Sequence, residues 1–105
     1  MDDKQFNDAF KSAGGWFVAN YYLLAERWCG SSSELAEVIF KNDKTDSDIQ
    51  GTKTRVNSLF RIIENGRGVE ALKKVVESNK IEKLHPESKI IAKNILKSLI
   101  YSSLK

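Results

Sequence analysis

The chain holds one cysteine, one proline, one histidine and one methionine among its 105 residues. A lone Cys29 excludes an internal disulfide and fits a reducing, cytoplasmic setting. Cys29 and His85 together are too few for a structural zinc site, which needs four ligands. Pro86 is the only proline, so long helices meet no obstacle elsewhere. Long apolar runs are missing too. The most apolar stretch, Trp16–Ala25, is ten residues long and contains Asn20. A bilayer crossing takes about twenty apolar residues, so no membrane partner is expected. The acidic Asp2 and Asp3 do not give the basic-then-apolar layout of a secretory signal. Strand-type alternation, internal repeats and low-complexity tracts are also lacking.

Catalytic motifs are equally scarce. A serine triad needs a histidine held by neighbours, and His85 precedes a proline in a connector with no nucleophile motif beside it. Cys29 reads as an ordinary buried thiol. Asp43, Asp46 and Asp48 lack the spacing, central glycine and closing glutamate of a calcium loop. Gly66–Arg67–Gly68 has neither the strand before it nor the Lys–Ser/Thr after it that a phosphate loop requires. The expectation is a non-catalytic protein with no cofactor and no metal.

What remains is a folded composition: 41% hydrophobic and 10% aromatic against 30% charged. At this length one all-α domain spanning residues 1–105, a compact bundle of five to six helices, is the natural reading. Phe6, Ala9, Phe10 and Ala13 line one face of a first helix that Gly14–Gly15 stops. Phe17, Tyr21, Leu24 and Trp28 form an aromatic stripe in a second helix, Trp16–Cys29, with Tyr22 off the stripe and facing out. Ser31 and Glu34 read as a capping box that opens a helix burying Leu35, Val38 and Ile39. The next helix starts near Asp46 or at Thr52. Val56, Leu59, Phe60 and Ile63 make its apolar stripe, and Asn65–Gly66 its stop. Val69, Leu72, Val75 and Val76 mark a short helix over 69–78, followed by a connector at Asn79–His85. Pro86 opens the last helix. Its apolar face of Ile91, Ala92, Ile95, Leu96, Leu99, Ile100 and Leu104 is wider than one packed neighbour needs.

Two surfaces invite a partner. The helix at 52–65 turns Thr54, Asn57, Ser58, Arg61 and Asn65 away from its apolar stripe. Solvated helix faces are mostly Glu and Lys; short hydrogen-bonding side chains around one arginine suit base edges or a polar groove. With the capped helix before it, residues 31–65 give the order of a helix-turn-helix-like unit. On that reading the protein binds DNA. Thr54, Asn57, Ser58 and Arg61 enter the major groove, and Lys53, Arg55 and Arg67 hold phosphates, helped by lysines 73 and 74. The alternative is a protein-interaction bundle of immunity, antitoxin, inhibitor or adaptor type. It would use the wide face of helix 86–103 for a partner or for a homodimer. Charge asymmetry fits both readings: residues 73–105 carry eight lysines and three glutamates. Such a basic third could face nucleic acid or an acidic protein.

Overall fold

Helix starts and stops written in the sequence set the architecture. Asp2 caps the first helix, α1 (Asp3–Ala13): its carboxylate accepts from the Gln5 amide at 2.8 Å, and the Gln5 side chain accepts from the Asp2 amide at 3.0 Å. This capping box satisfies two otherwise orphan donors. Gly14 ends α1 at φ +85°, and α2 (Gly15–Arg27) leaves at once in a new direction. Ser31 opens α3 (Ser32–Asn42) by accepting from the Glu34 amide at 3.1 Å. Asp48 caps α4 (Ile49–Glu64) through the Gly51 amide at 3.1 Å. Then come α5 (Gly68–Glu77), α6 (Asn79–Leu84) and α7 (Pro86–Ser103). The computed structural model describes residues 1–43 and 46–103, with side chains to residue 100.

The described residues form an all-helical globule of seven helices, not five to six. The addition is α6, expected as a connector. Ser78 caps it through the Ile81 amide at 3.2 Å, and Ile81 is buried under it. Six residues are too few for periodicity to show, which is why the cap was the only signal. The radius of gyration is 13.2 Å, the value of a compact chain this long, about 13 Å.

Three groups of contacts organise the helices. α4 packs against α1 and α3, α7 packs against α5 and α6, and α2 lies between, touching α1 and α4 on one side and α5 and α7 on the other. This central place corrects the expected register of α2. Phe17, Val18, Ala19, Tyr22 and Ala25 are its buried residues, while Leu24 is exposed. Tyr22, expected outside, is 5% exposed. A helix packed on opposite sides buries more than one stripe, and its aromatic spacing alone cannot say which residues go in. Similar shifts occur nearby. α3 buries Ala36 and exposes Val38, and α5 buries Ala71 and exposes Val69. Small residues face the partner where backbones approach closely. Cys29 is exposed, against expectation. α2 ends at Arg27, and Trp28 turns back to donate its indole N–H to the Ser31 carbonyl at 2.9 Å.

The turn from α4 to α5 is a Schellman motif. The Gly66 amide donates to the Ile63 carbonyl and the Arg67 amide to the Ile62 carbonyl, each at 3.0 Å, with Gly66 at φ +73°. No atom would obstruct a Cβ there, so a substitution meets backbone strain alone. Gly66→Ala should therefore cost about 1–2 kcal/mol, read from urea unfolding. A cost near zero would mean that this turn relaxes to another geometry.

Candidate functional site

Ile49–Glu64 winds so that Thr52, Val56, Leu59 and Ile62 enter the core while Gln50, Thr54, Asn57, Arg61 and Asn65 stand exposed on the far side. Two of the exposed groups are held by their own helix. Thr54 donates its hydroxyl to the Gln50 carbonyl at 3.0 Å, and Asn65 donates its amide to the Arg61 carbonyl at 2.7 Å. Ser58 is not on this face: it is 8% exposed, turned toward the core. The helix packs against α1, α2 and α3 and touches α5, so its buried arc extends past the apolar stripe and takes in this small side chain. Lys53 is half-buried.

Of the expected phosphate holders, Arg55, Arg67 and Lys74 are engaged within the protein. Arg55 donates Nε to Asp46 at 3.0 Å and Nη1 to the Ala13 carbonyl at 2.6 Å. Asp46 also accepts the Thr52 hydroxyl at 3.1 Å, so one cluster joins the start of α4 to the end of α1. Thr52 is fully buried, and this bond satisfies its hydroxyl there. Arg67 is tied more heavily. Its guanidinium donates to both Glu70 oxygens at 3.1 and 2.6 Å, to Asp3 at 2.9 Å and to the Asp2 carbonyl at 3.2 Å. It also lies 4.2 Å above the Phe6 ring. The Glu70 contact comes first among the causes that push the Arg67 pKa further up, and Arg67 in turn holds the Glu70 carboxyl below its usual range. Lys74 donates to Asn7 at 3.1 Å beside the Phe10 ring. Arg55, Arg67 and Lys74 thus fasten α1 to the rest of the chain. Their partners on α1 are remote in sequence, so no local pattern announced that link; Glu70, three residues after Arg67, was the one local signal.

The described lysines of the basic third are spread over α5, α6 and α7. On α7, the expected wide apolar face is largely consumed internally. Ser88, Ala92 and Ile95 are buried and Ile91, Leu96 and Leu99 half-buried, against α2, α5 and α6. Leu104, expected on that face, lies outside the described residues. The outer side of α7 carries Ile90, Lys93, Lys97 and Ile100, spaced for a single helical face. Ile90 is 63% and Ile100 55% exposed, and both lysines are exposed. Lys89, a neighbour of this row, instead pairs with Glu82 at 3.2 Å and locks α6 to α7.

A third feature was not anticipated. A cleft of about 670 Å³ opens where α1, α2 and α6 meet, with Phe10, Trp16 and Phe17 among its walls and Lys11 and Lys80 at its edge. The sequence signal was the Gly14–Gly15 break, which turns the chain sharply beside an aromatic cluster. Among the described residues, no group of three or more His, Cys, Asp or Glu is placed to hold a metal ion, and no helix is long and apolar enough to cross a membrane. His85 stands 3.6 Å from Glu87 and 6.1 Å from the Trp16 ring centre. No protein family, curated protein or solved structure matches this chain. Its function has to be argued from these surfaces.

Proposed function

We propose that this chain is a non-catalytic binding protein that docks an acidic, amphipathic helical segment of a protein partner on the outer row of α7. The observation that supports it is Ile90, 63% exposed and one turn from Lys93. Lysines alone would be an ordinary solvated face; two exposed isoleucines, Ile90 and Ile100, bracket them on one row, which is more than a single scattered apolar side chain. Magnitudes assign the roles. Covering an isoleucine is worth about 1.5–3 kcal/mol, whereas an exposed ion pair is worth about 0.2–1 kcal/mol. The apolar contact therefore supplies affinity, and Lys93 and Lys97 set orientation and select acidic partners.

A designed helical peptide with a leucine stripe flanked by glutamates tests this by fluorescence anisotropy. Ile90→Asp should weaken binding at least tenfold, the effect of losing the apolar contact and adding repulsion. Lys97→Glu should weaken it less, and more at low salt than at high salt. Equal binding of a scrambled peptide of the same composition, or indifference to Ile90→Asp, would reject the reading.

A second reading, DNA recognition by α4 within a helix-turn-helix-like pair, keeps one specific support. Asn57 and Arg61 stand exposed one turn apart, and these side chains suit adenine and guanine edges. Its difficulty is anchoring. Arg55 and Arg67 are engaged internally, and Asp43–Asp48 makes the connector between α3 and α4 longer than a three- or four-residue turn.

A further inference from the structure

We infer that the cleft between α1, α2 and α6 is a binding site for an aromatic carboxylate. Its size, about 670 Å³, lies within the range of small-molecule sites, about 300–1,000 Å³. The apolar walls come from Phe10, Trp16, Phe17, Ile81 and Leu84. The rings there are already arranged for aromatic company: Phe17 lies 4.8 Å from Tyr21 at a tilt, and Trp16 meets Tyr21 edge-on at 6.0 Å. A flat ring entering the cleft would extend this cluster through offset or edge contacts. The wall is also fixed in place. Tyr21 donates its hydroxyl to Asp43 at 2.6 Å, and burial with this bond raises the Tyr21 pKa. On the opposite side α6 presses so closely on α2 that a Cβ at Gly15 would overlap the Ile81 side chain.

The charges around the cleft indicate the other half of the ligand. Among the described residues Asp43 is its one acidic lining residue, and that carboxylate is engaged by Tyr21. Arg55 lines it too, but Asp46 offsets its charge. Lys11 and Lys80 line it from two different helices, are exposed, and form no ion pair with a described residue. An apolar, ring-lined cleft bordered by two available ammonium groups complements an aromatic body carrying one negative charge.

The test uses 2-naphthoate and its neutral isostere 2-naphthamide, followed by proton–nitrogen NMR on the full chain. The amides of Gly14 and Gly15 and the indole N–H of Trp16 should shift with saturation, and naphthoate should bind at least fivefold more tightly than naphthamide. Lys11→Glu with Lys80→Glu should weaken naphthoate at least tenfold and leave naphthamide unchanged. The spectrum of that variant shows directly whether it is folded. Ile90→Asp, on the α7 row, should change neither affinity, which separates this site from the docking face. Scattered shifts without saturation, equal affinity for the two probes, or indifference to the double charge reversal would overturn the assignment.

Discussion

Leu59→Ala should lower the unfolding free energy by about 2–5 kcal/mol, whereas Asn57→Ala, two residues earlier on the same helix, should leave it unchanged or raise it slightly. Leu59 is 1% exposed at the junction of α4 with its neighbours. Removing its side chain forfeits the transfer free energy and leaves a cavity that packed helices fill only in part. A chain of this length is stable by about 5–15 kcal/mol, so the loss is a large share of the total. Asn57 touches water, and alanine is the better helix former by a few tenths of a kcal/mol. Urea unfolding of both variants reads the contrast. Comparable losses would mean that α4 is turned differently, and the exposed row of Asn57 and Arg61 would no longer exist as described.

The second large effect lies where α5 meets α2. A Cβ at Gly68 would overlap the Tyr22 ring and hydroxyl. Tyr22 is buried; burial first, then the Glu26 carboxylate, raises its pKa. A ring so enclosed cannot move aside cheaply, so Gly68→Ala should cost about 1–3 kcal/mol by overpacking. The hydroxyl is the closest obstacle, so Tyr22→Phe should relieve part of the penalty. In a double-mutant cycle the two changes together should cost less than their sum, by about 0.5 kcal/mol or more. Simple additivity would show that α5 shifts away as a body and that the contact is looser than described.

Much of the fold could be read from local chemistry. Ser31 before Glu34, the Asn65–Gly66 stop and Pro86 each act within one turn of chain. Each did what its residue type dictates. Asp2 with Gln5 was an equally local signal that the reading passed over. The failures have a common cause. Tyr22 goes in and Leu24 stays out because α2 is packed on opposite sides, a tertiary fact that its own periodicity cannot carry. Arg55 and Arg67 read as phosphate holders because the partners that tie them to α1, the Ala13 carbonyl and Asp3, lie far away in sequence, although Glu70 stands only three residues from Arg67. The cleft's lining was hidden for the same reason: Lys11, Trp16 and Lys80 come to one cleft only because α6 packs on Gly15, and the Gly14–Gly15 break was its one local sign.

These engaged arginines change how the charge should be understood. The sequence places cations on both sides of the α4 face, which is what a phosphate-anchored reader requires. In the folded chain, Arg55, Arg67 and Lys74 instead hold α1 down. On α7, Lys93 and Lys97 stay exposed along one face, beside exposed isoleucines. On the proposed reading this row of isoleucine and lysine would meet an acidic protein surface, with α4 left as a polar flank.

Anisotropy titration of random duplex DNA at about 50 and 200 mM salt, with the wild-type chain, Arg61→Ala and Lys93→Glu/Lys97→Glu, decides between the two faces. Only weak association is expected at low salt, unaltered by Arg61→Ala and diminished by the α7 charge reversals. Tight, sequence-selective binding that disappears with Arg61→Ala and survives reversal of the α7 lysines would contradict the proposed docking on α7.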